Sequence, residues 1–365
     1  MKILFVSDFP IQGSGYFHIA VNTCIELTKR GHEVRALGIN YKGEEHHFPF
    51  QINPIGQAEF VGQIRAFAHN MYREKLFEHM IVALDITHQL QLVLTAEQLG
   101  FPISGIFPLE APPLTNTWAM GLMQLKNRFV ISQFAEDEFT RLGIEAHHLP
   151  IPVDTAFWRA STEDEKAMLR KAMGIDADKR VVLQVADNQE RKNLSLAADI
   201  IAKTPDVIYL IVTRRNSPAG WILDDLYNEK GIRDRVMVFD RGMEVKKLWS
   251  LYAIADAFLM SSKAEGLGMP VLEAMSCGIP VVAPDHTSFH EHLSWGRGYL
   301  YKTKFEYLDV FGNEMRYFGD VEDGVVNLEA ALRTGTSYCT GDTREYVEKR
   351  NWAMVGDILC KYLTS

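Results

Sequence analysis

The chain has 365 residues, 47% apolar and 23% charged, with a net charge of −9 and a pI near 5.8. That is enough apolar material for two domain cores, and the acidic balance argues against a surface built wholly for nucleic acid or anionic membrane, while leaving room for a local basic patch. No apolar run approaches the ~18 residues of a membrane span, and four scattered cysteines with no Cys-x-x-Cys pair point to buried thiols in a reducing compartment rather than to a disulfide framework or a cysteine zinc site.

Residues 2–8 (KILFVSD) read as a first strand rather than a signal peptide, followed by a helical period over 15–31 that stops at Gly31. Strands are expected at 33–39, 79–85, 103–109 and 128–133, and a helix with acidic residues in its first turn at 134–143. Strand alternating with helix is βαβ logic, which predicts a parallel sheet covered on both faces. Residues 147–162 break the rhythm with Pro150 and Pro152 and end in an N-cap-like STEDE, which marks a crossover between domains. Strands then resume at 180–187, 207–213, 235–241, 256–262 and 280–284, and one last helix is expected over 344–363. The predicted class is α/β, with two Rossmann-like doubly wound domains. The first spans 1–150, the second 160–343, and the 344–365 segment packs back in part on the first. Ligands of such sheets bind beyond the carboxyl ends of the strands, so a cleft between two such domains is the expected site.

Three stretches carry chemistry. In 7–20 (SDFPIQGSGYFHIA) a strand passes through Gly13 and Gly15 into a helix, a turn that can bring backbone close to a phosphate, although it is neither a complete G-x-G-x-x-G nor a Walker loop. In 185–201 Arg191 and Lys192 stand at a helix entry, where cations oppose the helix dipole unless an anion lies between. In 265–284 (EGLGMPVLEAMSCGIPVVAP) Glu265 lies in a glycine turn, Pro270 suits a first helical turn, Glu273 lies about one turn further, and Gly278 suits the end of that helix. The amides of Gly266 to Met269 are placed to meet an anion. The two glutamates are suited to accept from sugar or ribose hydroxyls beside it, although for either taken alone an ordinary capping or helix-surface acid is the default reading. His286, His290 and His292 offer a zinc-like spacing, but solvated or cleft-lining histidines are the better reading, and no metal site is expected.

The pattern Glu265, seven residues, Glu273, with Gly266-Leu-Gly-Met-Pro270 inside it, resembles the donor-site signature of retaining glycosyltransferases of the GT-B fold, family 4 in particular. The likeness extends to the N-terminal strand and glycine loop and to LPIPVDTAFW (149–158). It implies a metal-independent transfer of a hexose from a UDP- or GDP-sugar, with no cofactor beyond that co-substrate, to a saccharide, lipid-linked or other hydroxyl acceptor. A nucleic-acid acceptor has no support in the acidic composition. Residue by residue, the resemblance implies that Glu265 reads donor sugar hydroxyls and that Gly266, Leu267 and Gly268 offer amides. It further implies that Glu273 binds the ribose, that Lys192 binds the diphosphate, and that Gly13 and Gly15 approach the donor phosphate. The family has an arginine where this chain has Asp187, and Arg191 is the candidate replacement. It often has a histidine in the first domain near the reacting sugar, for which Glu110 and His88 are the candidates here. The expected location is cytoplasmic, at most peripheral at a membrane. A non-catalytic nucleotide-sugar-binding protein and a GT-B-type epimerase are the alternatives.

Overall fold

Runs such as Ile3–Val6 and Tyr209–Val212 are apolar at every position, so they can form only strands covered on both faces. The computed structural model describes residues 1–10, 14–310, 313–335 and 341–364, and divides them into two compact units, Met1–Ile151 with Arg350–Ser365, and Pro152–Lys349.

Unit 1 runs β1 (Lys2–Asp8), α1 (Gly15–Lys29), β2 (Glu33–Ile39), β3 (Gln51–Ile55), α2 (Phe60–Arg73), β4 (His79–Ala83), α3 (Ile86–Leu99), β5 (Ile103–Phe107), α4 (Asn116–Leu122), β6 (Asn127–Val130), α5 (Gln133–Arg141) and β7 (His147–His148). Its strands form one parallel sheet in the order β3-β2-β1-β4-β5-β6-β7. The edge strand β3 was not expected from sequence. It contains Pro54, which an edge position tolerates because the ring removes only one ladder donor.

Unit 2 runs α6 (Glu163–Ala172), β8 (Arg180–Val185), α7 (Leu194–Lys203), β9 (Val207–Thr213), α8 (Leu223–Glu229), β10 (Val236–Asp240), α9 (Val245–Ile254), β11 (Ala257–Leu259), α10 (Met269–Ser276), β12 (Val281–Pro284), α11 (Thr287–Leu293), β13 (Tyr299–Tyr301), β14 (Thr303–Leu308), β15 (Met315–Gly319), α12 (Val321–Thr334) and α13 (Gly341–Glu348). The parallel sheet has the order β10-β9-β8-β11-β12-β13, and β14 and β15 form a separate antiparallel hairpin, also unexpected from sequence. In both units the first strand lies inside the sheet and the chain then builds outward to either side. The order therefore reverses between β1 and β4 and between β8 and β11, the doubly wound Rossmann-like pattern with its switch point.

The helix expected over 344–363 is two helices. Asn351 adopts an extended conformation and its side chain accepts from Met354 N at 2.9 Å, capping α14 (Trp352–Leu363), while α13 ends at Glu348. The break coincides with the passage between units, and α14 packs its Val355, Leu359 and Leu363 face into unit 1, against α1. Among the described residues, no helix is long and apolar enough to cross a membrane.

Candidate functional site

The loops that follow β8 and β11 leave the sheet of unit 2 side by side at its switch point, and backbone groups join them. Lys263 N donates to Arg191 O at 2.8 Å, Ser261 Oγ to Lys192 O at 2.9 Å, and Arg191 Nη1 to Ala264 O at 2.5 Å. Beneath them Gln184 on β8 donates to Ser261 Oγ at 2.9 Å and takes the Tyr209 hydroxyl. Arg191 and Lys192 close a short 3-10 turn (Glu190–Lys192), and Asn193, at φ +50°, turns the chain into α7.

This joining sets three expected site residues against each other. Lys192 Nζ lies 2.5 Å from Glu265 Oε2, Arg191 Nη1 lies 3.6 Å from the same oxygen, and the Ser262 hydroxyl donates to it at 3.1 Å. Glu265 is buried, at 8% exposure. Burial alone would raise its pKa, but the Lys192 ammonium and the Arg191 guanidinium outweigh that cost and hold the carboxyl below its ordinary value. Among the described residues all these donors converge on Oε2, which leaves Oε1 its acceptor capacity there.

Past Glu265 the chain turns at Gly268, at φ +73°, into α10, where Pro270 carries no N–H and Val271 N already donates to Gly268 O at 2.8 Å, so the amides placed to meet an anion are those of the glycine turn itself. Pro270 stands in the first turn and Glu273 five residues into the helix. Glu273 Oε2 accepts from the Tyr252 hydroxyl at 2.7 Å. Withdrawal from water pushes its pKa up to about 7, with the Tyr252 bond only partly opposing. Glu265 is therefore a paired carboxylate, whereas Glu273 titrates near neutrality.

Asp187 follows β8 and collects two arginines that sequence reasoning missed. Its Oδ2 lies 2.8 Å from Arg214 Nη2 and 2.9 Å from Arg241 Nη1. Each arginine stands just beyond a neighbouring strand, β9 and β10, so a basic residue at a strand exit was the available signal. Five cations (Arg191, Lys192, Arg214, Arg241, Lys263) thus stand with three carboxylates (Asp187, Glu190, Glu265) in these loops, inverting locally the acidic balance of the chain.

The histidines correct one expectation. His286 and His292 are buried rather than solvated, and both ring nitrogens of each are occupied. His286 Nε2 is 2.9 Å from Ser262 O and Nδ1 is 3.0 Å from Thr287 Oγ1; His292 Nε2 is 2.7 Å from Leu267 O and Nδ1 is 2.8 Å from the Tyr346 hydroxyl. His290 is exposed and pairs with Asp285 at 2.6 Å. The unexpected hairpin braces the same loop. Tyr317 N donates to Lys263 O at 2.8 Å, the Tyr317 ring stacks on His286 at 4.7 Å, and the Lys263 ammonium sits 4.5 Å above the Phe318 ring.

The remaining candidates belong to unit 1. Gly13 lies outside the described residues. Gly15 is the first residue of α1, capped by the Ser14 hydroxyl, which accepts from Phe17 N at 3.0 Å. Glu110 is half-buried in the segment after β5. His88, on α3, is half-buried with its ring 4.9 Å from that of Phe60.

Residues 165–307, the greater part of unit 2, match the family described as "Glycosyl transferases group 1". Among curated proteins, the chain is 31% identical over 168 residues to a GDP-mannose-dependent alpha-(1-6)-phosphatidylinositol monomannoside mannosyltransferase of Mycolicibacterium smegmatis, covering 43% of this chain and 42% of that protein. It is 35% identical over 128 residues to a D-inositol 3-phosphate glycosyltransferase of Mycobacteroides abscessus, covering 33% of this chain and 28% of that one. The matched regions thus span less than half the length of these relatives. Over the whole chain the fold is that of sucrose-phosphate synthase from Thermosynechococcus elongatus (TM-score 0.77, 16% identity, 100% and 98% covered) and of Anabaena HepE in complex with UDP-glucose (TM-score 0.77, 16% identity, 100% and 99% covered). With those neighbours, the two Rossmann-like units place the chain in the GT-B fold class.

Proposed function

We propose that the protein is a retaining glycosyltransferase that moves a hexose from a UDP- or GDP-sugar to a hydroxyl acceptor. The observation that carries this reading is the Lys192–Glu265–Arg191 cluster at the switch point of unit 2, beside the glycine turn that starts α10. The group 1 match over residues 165–307 and relatives named as glycosyltransferases support it.

In this reaction the bond between the anomeric carbon and the diphosphate oxygen breaks, and its electron pair stays with the diphosphate. The acceptor oxygen bonds to the same face of that carbon, and its proton passes to the departing phosphate oxygen. Charge develops on the leaving group, and fixed cations and amides that meet it there contribute the main electrostatic stabilisation. Lys192 and Arg191 fill that role together with the amides of the glycine turn before α10, so the leaving group needs no metal in this reading. Glu265 Oε1 accepts from sugar hydroxyls, with Gly266, Leu267 and Gly268 lending amides, and Glu273 accepts from the ribose. Gly13 and Gly15, in unit 1, remain candidates for the donor phosphate. Glu110 and His88 are the candidates for the acceptor, which is proposed to be a saccharide or a lipid-linked hydroxyl.

A thermal-shift panel of UDP-, GDP- and ADP-sugars tests the donor, because a ligand that binds only the folded state raises its stability with concentration. One nucleotide series should stabilise strongly. That donor, incubated with candidate acceptors, should then give a glycoside of unchanged anomeric configuration. Binding without turnover would instead indicate a nucleotide-sugar-binding protein, and sugar interconversion an epimerase.

A further inference from the structure

The loop that carries Glu265 is held from behind by three side chains of one short segment. His286 reaches Ser262 O at 2.9 Å, Ser288 Oγ donates to Glu265 O at 2.8 Å, and His292 reaches Leu267 O at 2.7 Å. A carbonyl oxygen only accepts, so each histidine donates through Nε2–H, and each Nδ1 is left as the acceptor. The Thr287 hydroxyl fills that position on His286 and the Tyr346 hydroxyl on His292, so both rings are fixed at both ends. All three side chains are buried, at 5% for His286 and 0% for the other two. Burial also drives the His286 pKa down to about 4, which keeps that ring neutral and its Nδ1 an acceptor.

The consequence lies in peptide geometry. In a planar trans peptide the C=O and the following N–H point in opposite directions. Drawing Glu265 O toward Ser288 therefore turns the Gly266 N–H the other way, and drawing Leu267 O toward His292 does the same for the Gly268 N–H. Drawing Ser262 O toward His286 likewise turns the Lys263 N–H outward, where it donates to Arg191 O at 2.8 Å. The Glu265 side chain and the amides of the glycine turn are thus aimed by groups that lie on the opposite side of the loop.

We propose that His286, Ser288 and His292 are positioning residues, a carbonyl strap that orients the Glu265 carboxylate and the Gly266 and Gly268 amides for glycosyl transfer. This rests on the reading of the site given above. The strap acts without touching the substrate, so its removal should lower kcat more than it raises the acceptor KM, and a residue that can donate from the Nε2 position should restore it.

The test compares His292→Leu, His292→Gln and Ser288→Ala with the unaltered full chain. It reads kcat and KM for donor and acceptor, UDP and GDP affinity by calorimetry, and secondary structure by circular dichroism. His292→Leu should lose on the order of 100-fold in kcat, the scale of a site misplaced by about 1 Å, and His292→Gln should recover most of it. Ser288→Ala should lose roughly ten-fold, by the same misplacement logic. The strap is overturned if folded His292→Leu turns over like the wild type, or if the glutamine variant is no better than leucine. Should the leucine variant not fold, wild-type kcat in Ser288→Ala overturns it. Nucleotide affinity separates this inference from the functional one. If the wild-type chain transfers no sugar, the functional reading fails, whereas loss of UDP or GDP affinity in His292→Leu with recovery in His292→Gln still reports the strap.

Discussion

Lys192 Nζ and Glu265 Oε2 stand 2.5 Å apart although they are 73 residues apart in the chain, because the loops that carry them follow β8 and β11, which are neighbours in the sheet. The pair is buried, so it is costly to break on one side only. Removing one partner of a buried pair typically destabilises by about 3–5 kcal/mol, and here Arg191 at 3.6 Å and the Ser262 hydroxyl at 3.1 Å offset part of that loss when Lys192 is removed. Lys192→Ala should therefore lose both turnover, by several hundred-fold, and stability, by a few kcal/mol, whereas Glu265→Gln should lose turnover with a smaller stability change. The double variant Lys192→Ala/Glu265→Gln should lose less stability than the two single losses added together, while remaining inactive. Denaturant melts and transfer assays on the four proteins check this, and additive stability losses in the double variant would show that the pair is not coupled in the folded protein.

The strands of this fold are legible where both faces are covered. β2 and β9 have the bounds that their apolar runs predict, Glu33–Ile39 and Val207–Thr213. β11 ends at Leu259 rather than at residue 262, because Ser261 and Ser262 leave the ladder to bond Lys192 and Glu265. The β14–β15 hairpin is not legible in the sequence because much of β14 is exposed and shows no core-facing alternation. Lys192, Arg191 and Glu265 could be singled out from spacing and residue type. The strap could not, since a side chain bonded to a distant carbonyl leaves no spacing in the sequence, and the burial of His286 and His292 is decided by elements far along the chain, the hairpin and α13. Asp187 reads in the sequence as a loss of positive charge, and only the sheet order β10-β9-β8, with Arg214 and Arg241 just past the ends of β9 and β10, brings two arginines to it.

Glu273 makes stability depend on pH. Its folded pKa of about 7 exceeds the ordinary 4.5, so the folded chain keeps a proton that the unfolded chain has released between those values. The stabilisation from this group is complete below the unfolded value, declines as pH rises across that window, and is gone above the folded pKa. Glu273→Gln, permanently neutral and still able to accept from Tyr252, should thus be more stable than the wild type at about pH 8 by on the order of 1–3 kcal/mol, and should lose that advantage near about pH 4. A ribose hydroxyl donates best to the ionised carboxylate, so wild-type UDP or GDP affinity should rise as pH passes about 7, and that of the glutamine variant should not. Parallel melts and titrations across this range decide it, and a constant stability difference at all pH values would refute the assignment.

Gly268 couples backbone strain to the carboxylate. Its φ of +73° is a conformation that side chains disfavour, and an added Cβ would lie 3.2 Å from the Phe289 ring and 3.4 Å from Glu265 Cγ. Gly268→Ala should cost about 1–2 kcal/mol in stability from the left-handed conformation alone. It should also reduce turnover by more than that destabilisation explains, because Glu265 is displaced. The check is kcat measured well below the melting temperature, and full activity there would show that the loop absorbs the methyl group without moving Glu265.

The helix α14 is retained in unit 1 in part through Arg30. Arg30, at the end of α1, donates to Asp357 at 2.7 Å, to Ala353 O at 2.6 Å and to Glu26 at 2.5 Å, so its guanidinium is held on several sides. Gly356 lies directly against it, and a Cβ there would stand 2.5 Å from Arg30 Cζ. The guanidinium cannot yield without giving up those bonds, and overpacking of this kind typically costs about 1–3 kcal/mol. Gly356→Ala should therefore destabilise the chain by that amount and expose α14 to limited proteolysis, although glycine to alanine inside a helix would by propensity alone be favourable. Pairing it with Arg30→Ala should recover part of the loss, since the clash disappears with the guanidinium. A Gly356→Ala protein as stable and as protease-resistant as the wild type would show that α14 is not held by this contact.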